Sequence, residues 1–218
     1  MKIETIVITG GIGSGKSSVI EAIRRQTEKK VSFFNFDDFT EELYDREDVK
    51  KFLNTLFGTT DKKEISDIVL NGEESETTKI MREELNEFFF SMIEEKFIEL
   101  VNRKPVSTLI IEMPMFFEMK KFSLKMQMVR TKVKVIVVTA DDDVRIARVK
   151  SRDGFTEDKI RNIMAVQESQ QYKIENADYV IDNTNGDCDD NVIDLMKNKF
   201  MKVFSNVEDK SADSKTSG

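Results

Sequence analysis

The chain has 218 residues, 39% hydrophobic and 34% charged, with a net charge of −7, which suits one globular domain and excludes a disordered chain. No run reaches the roughly 18 apolar residues a membrane-spanning helix needs, Ile6-Val7-Ile8 is too short for a signal-peptide core, and the acidic balance argues against a nucleic-acid-binding surface. The single cysteine, Cys188, cannot form an internal disulfide and points to a reducing cytoplasm.

In chain order, residues 5–9 are β-branched and continuous, as in a strand buried on both faces. Four of the nine glycines, Gly10, Gly11, Gly13 and Gly15, crowd the next positions. Residues 17–29 place Val19, Ile20, Ala22 and Ile23 at helical spacing and end in basic residues suited to a helix C-terminus. Residues 31–36 read as a second strand, with Asp37 and Asp38 directly after it. From 39 to 104 the composition turns charged and helix-forming. Its strongest element is a predicted helix over 78–103, where Met81, Leu85, Phe88, Phe89, Met92, Ile93, Phe97, Leu100 and Val101 form an apolar stripe. Strands return at 108–111, 134–139 and 179–181, separated by helices over 141–152 and 156–172. A further helix is expected over 191–204 and a disordered tail over 207–218. Alternating strands and helices predict an α/β fold: a parallel sheet of about five strands flanked by helices. The domain is expected over 1–206, with a helical insertion at about 39–104 and a lid at about 145–172.

The residues from Gly10 to Ser17 match G-x-x-x-x-G-K-[ST] between a strand and a helix, the pattern of a P-loop. The glycines let backbone N–H groups turn inward around a phosphate, and the helix N-terminus adds its positive dipole end. Gly11, Ile12, Gly13, Ser14, Gly15, Lys16, Ser17 and Ser18 are thus the expected triphosphate-binding set. Lys16 would reach the outer phosphates and the Ser17 hydroxyl would ligate Mg²⁺. A P-loop alone leaves GTPase, motor ATPase and small-molecule kinase open. The absence of an Asn-Lys-x-Asp segment and the long helical region between the second and third strands favour a kinase with a helical acceptor lobe.

The chain has no histidine, so a general base must be a carboxylate, lysine or tyrosine. Asp37, at the C-terminal end of a parallel strand, lies where open α/β sheets bind ligands; Asp38 is an adjacent rival. Arg145, Arg148 and Arg152 share one helical face and suit a lid that stabilises a transferring phosphoryl group. Glu112, ending a strand, is placed to hold Mg²⁺ through water.

Beyond the loop, the sequence resembles the dephospho-CoA kinase family. The resemblance rests on Ile8 through Ser17, Asn35-Phe36-Asp37, Phe57-Gly58, Pro114 through Glu118, Arg148 through Gly154, Gln167, and Ala177 through Asn183. It implies ATP-dependent phosphorylation of the ribose 3′-hydroxyl of dephospho-CoA. Asp37 would be the base, Arg148 and Arg152 the lid arginines, and Asn183 a residue lining the adenine pocket. Phe116, Phe117 and Glu118 would border the acceptor, with Lys62, Lys63 and Arg82 as cations for its diphosphate. The chain departs from the family at Asn35, where an aspartate is usual, and in having no His-Pro pair in the acceptor lobe. A nucleoside monophosphate kinase and a nucleotide-binding switch remain as alternatives. Triphosphate preference and oligomeric state stay open.

Overall fold

A computed structural model of the protein describes residues 5–26, 31–71, 75–102, 108–120 and 133–186. The helix expected over 191–204, the tail over 207–218 and Cys188 lie outside these residues. The elements run β1 (Thr5–Thr9), α1 (Lys16–Gln26), β2 (Val31–Asn35), α2 (Phe36–Leu43), α3 (Glu47–Phe57), α4 (Lys62–Asn71) and α5 (Glu76–Asn102). They continue with β3 (Thr108–Glu112), α6 (Phe116–Lys120), β4 (Val133–Thr139), α7 (Asp142–Asp153), α8 (Glu157–Val166), α9 (Gln170–Glu175) and β5 (Tyr179–Asp182).

All five strands pair in parallel in the order β2-β3-β1-β4-β5. β1, the central strand, is fully buried along its length. Successive side chains of a strand point to opposite faces, and the apolar runs split accordingly. Val7, Leu109, Ile111, Val133, Val135 and Val137 face one core with the helical insertion. Ile6, Ile8, Ile110, Ile136, Val138 and Ile181 face a second core against Val19, Ile20, Ala22 and Ile23 of α1.

The insertion comprises α2 through α5, packed by an aromatic chain that passes from Phe34 through Phe36 and Phe97 to Phe116. Phe97 is fully buried; a phenylalanine buried this way contributes on the order of 1.5–3 kcal/mol. Of the stripe read from the sequence, Phe89, Ile93, Phe97 and Leu100 are buried core and Leu85, Phe88, Met92 and Val101 pack against them, while Met81 stands half-buried outside the core cluster.

The 156–172 segment departs from expectation. It is two helices, not one, because Gln167 is extended (φ −83°, ψ 154°) and Ser169 caps the next helix by accepting from the Tyr172 amide. Serine is a strong N-cap and breaks the helix by offering its first turn a side-chain partner. The break aims residues 167 and 168 inward, at the phosphate loop and at α6.

Candidate active site

β1 delivers the loop of residues 10–15 to the C-terminal edge of the sheet, and α1 begins immediately after it at Lys16. No acidic side chain occupies the first turn of α1, so the positive end of its dipole is left for an anion. Lys16 folds back over the loop, its Nζ donating to the carbonyls of Gly10 (3.0 Å) and Gly11 (3.3 Å). Burial lowers its pKa to about 8, and the nearby carboxylates of Glu112 and Asp37 partly offset that fall. Ser17 and Ser18 are exposed at the start of α1.

Strand register brings the carboxylates to the same edge. Glu112, the last residue of β3, pairs with Ile8 on one side and Asn35 on the other. Asn35 caps α2, its Oδ1 accepting from the Asp37 amide at 2.7 Å. An aspartate there would make the same cap, so the departure at Asn35 leaves the placement of Asp37 intact. Asp37 keeps solvent contact, yet partial desolvation at this edge raises its carboxyl above the ordinary value; Lys16 and Arg152 pull it back, while Asp38 and Glu41 push it further. The Glu112 carboxyl is raised for the same reason and is likewise countered by Lys16. Lys16, Asp37 and Glu112 thus form one electrostatic cluster.

The three arginines of α7 divide their work. Arg145 is buried, paired with Asp142 at 2.8 Å, and donates from Nε to the Ile12 carbonyl at 2.9 Å. Arg148 donates to the Asn183 carbonyl at 2.7 Å and reaches the Ser14 carbonyl at 3.5 Å. Arg152 is exposed and forked onto Asp153, yet close enough to bear on Asp37. The loop is therefore clamped from behind by Arg145 and Arg148, and only Arg152 stands clear of it.

A family model for dephospho-CoA kinase matches residues 4–189. The chain belongs to the dephospho-CoA kinase family. It is 27% identical over 207 residues to the dephospho-CoA kinase of Fusobacterium nucleatum, covering 90% of this chain and 95% of that protein. It is 29% identical over 191 residues to that of Geobacillus kaustophilus, covering 82% and 87%. Its fold matches the solved dephospho-CoA kinase of Campylobacter jejuni at a TM-score of 0.60 and 20% identity, over 93% of this chain and 98% of that one.

Within this member of the dephospho-CoA kinase family, several expected acceptor contacts are otherwise engaged. Phe116 and Phe117 are 1% and 0% exposed, packed edge-on against Phe97 and Tyr172 as part of the core. Glu118 is also buried, its Oε1 lying 2.9 Å from Lys173 Nζ. Arg82 holds the Val69 carbonyl through both Nε and Nη2, tying α5 to α4. Lys62 pairs with Glu41 and lies over the Tyr44 ring, and Lys63 is exposed on α4. Asn183, expected at the adenine, is buried behind the loop, its Nδ2 donating to the Ser14 carbonyl at 3.0 Å.

Two features escape the sequence reading. A groove of about 390 Å³ lined by Phe39, Arg46, Ser91, Met92, Glu95, Lys96 and Glu99 opens between α2 and α5, with Lys96 Nζ over the Phe34 and Phe39 rings. Gln167, present among the resemblance residues without a task, accepts from the Ile12 amide at 3.0 Å. The break at Ser169 was the only local signal for that inward turn.

Proposed function

We propose that the protein transfers the γ-phosphoryl group of ATP to the ribose 3′-hydroxyl of dephospho-CoA, giving CoA and ADP. The observation that carries the reading is the cluster of Lys16, Asp37 and Glu112 at one edge of the sheet, with the phosphate loop on one side and a helical lobe on the other. A phosphate loop needs only Lys16; a carboxylate aimed at the same edge supplies what a transferase needs in addition, a proton acceptor for the attacking hydroxyl.

The steps follow from charge. The loop amides and the α1 dipole hold the β- and γ-phosphates, and Lys16 exchanges its two carbonyl partners for phosphate oxygens. The acceptor hydroxyl gives its proton to Asp37 as its oxygen bonds to the γ-phosphorus, and the bond from that phosphorus to the ADP oxygen breaks. The raised Asp37 carboxyl is a better proton acceptor than an ordinary aspartate. Arg152, with Arg148 behind it, stabilises the charge on the transferring group. Exposed Ser17 and Glu112, buried at the end of β3, fit Mg²⁺, which keeps several waters and few protein ligands. Those two residues would hold it, Glu112 through water, and its charge would offset that of the phosphates. The groove beside Phe39, two residues beyond Asp37 on α2, offers the Phe39 ring, Met92 and the cations Arg46 and Lys96, which would exchange their partners Asp48 and Glu99 for the rest of the acceptor.

The purified protein incubated with MgATP and dephospho-CoA should convert the acceptor to CoA, identified by the position of the new phosphate. A product phosphorylated elsewhere, or none, would remove this assignment.

A further inference from the structure

Both backbone polar groups of Ile12 are held by side chains distant in the sequence. Arg145 Nε donates to its carbonyl at 2.9 Å, and Gln167 Oε1 accepts from its amide at 3.0 Å. Gln167 is the C-cap of α8, its amide donating to the Met164 carbonyl at 3.3 Å, and its backbone is extended beyond that point. Its neighbour is fixed as well: the Glu168 amide donates to Glu118 Oε1 at 2.8 Å. Glu118 in turn is paired with Lys173, and the two side chains are 8% and 2% exposed. Glu118 Oε2 and Lys173 Nζ have no hydrogen-bond partner of good geometry, so what holds the pair is charge in a buried setting, where the attraction is little screened. Lys173 also lines a cavity of about 350 Å³ that reaches Gly11, beside Arg145 and Glu168.

We infer that Gln167 is a positioning residue for phosphoryl transfer: it sets the Ile12 peptide of the phosphate loop, and the buried Glu118–Lys173 pair anchors it by gripping the Glu168 amide. The pair thereby links α6, which follows β3, to the turn between α8 and α9 and through it to the loop. A loop whose third residue is loose holds phosphate less well oriented, and orientation is where such enzymes obtain much of their rate.

The test uses the full chain. Gln167→Met keeps the size and removes the acceptor. Losing a hydrogen bond of ordinary net strength is worth up to about a factor of ten. Gln167→Met should therefore raise hydrogen exchange of the Ile12 amide about tenfold and lower kcat by a similar factor, with KM for dephospho-CoA unchanged. Gln167→Glu, which retains an acceptor of equal reach, should keep the Ile12 amide protected. The double variant Glu118→Met/Lys173→Met removes both charges at once, so no buried charge is left uncompensated. It should melt close to the parent yet show the same faster Ile12 exchange, and adding Gln167→Met to it should bring no further loss. Unchanged Ile12 exchange in Gln167→Met overturns the role of Gln167. Unchanged exchange in the folded double variant overturns the anchoring by the pair. The kinetic arm rests on the kinase reading, whereas the exchange arm does not. If the parent protein phosphorylates no acceptor, the kinase reading fails while Ile12 exchange still decides the relay.

Discussion

Gly13 and Gly58 have nearly the same backbone conformation, φ +75° and +72°, in very different surroundings. A Cβ on Gly13 would lie 2.5 Å from the Arg145 carbonyl oxygen and 3.0 Å from its C and Cα; one on Gly58 would meet nothing within 4 Å. Alanine at either position takes on the left-handed strain, roughly 1–2 kcal/mol. For a chain of this length that corresponds to a melting temperature lower by about 2–8 °C. At Gly13 the neighbour is backbone of α7 and cannot swing aside. The loop must move away from the helix by about 0.9 Å to reach the 3.4 Å at which ordinary contact begins. A misplacement of about 1 Å can cost roughly 10²-fold in rate. Gly13→Ala should thus lose about 10²-fold in kcat/KM for ATP, whereas Gly58→Ala should keep its activity at a similar loss of stability. Initial-rate kinetics with thermal melts on both variants decide it. A Gly13→Ala enzyme within threefold of the parent, or a Gly58→Ala enzyme equally inactive, would refute the claim that α7 sets the loop geometry.

Lys16→Ala should reduce turnover by orders of magnitude and leave the melt unchanged within a few degrees, because its partners are loop carbonyls and not core; near-normal turnover would take the loop out of the mechanism. Asp37→Asn keeps size and removes proton acceptance, so kcat should fall by about 10²-fold or more with ATP affinity little changed. A larger loss in Asp38→Asn would move the base one residue along. The same base sets the pH profile. Its carboxyl is raised above the usual 3.8, and only the ionised form accepts a proton, so activity should fall on acidification with a midpoint above 3.8. In Asp37→Asn that acid limb should disappear from kcat/KM, and an unaltered limb would assign it elsewhere.

The sheet and phosphate loop were legible because their signals are local: a β-branched strand, four crowded glycines, a lysine and a serine in one short run. The placement of Glu112 was legible for a related reason, since residues that end parallel strands share one edge whatever their side chains; Asp37 reaches the same edge from the first turn of α2, two residues past the end of β2, where the sequence suggests a strand end. The acceptor side was not. Phe116 and Phe117 read equally well as ligand-facing rings or core, and only packing against Phe97 and Tyr172 decides for core. The arginine periodicity put Arg145, Arg148 and Arg152 on one face, but did not show that the helix lies so close to the loop that two of them hold its carbonyls. Glu118 and Lys173 are 55 positions apart, and such a pairing has no local signature.

Which hydroxyl receives the phosphoryl group is tested most directly by a panel of acceptors offered with MgATP. Measured kcat/KM for dephospho-CoA should exceed that for every common nucleoside or deoxynucleoside monophosphate by at least tenfold, a preference of about 1.4 kcal/mol that a few lobe contacts can supply. The reverse ranking would contradict the dephospho-CoA assignment and leave a kinase of another specificity. Tight ATP binding with no transfer to any acceptor would contradict the kinase reading itself.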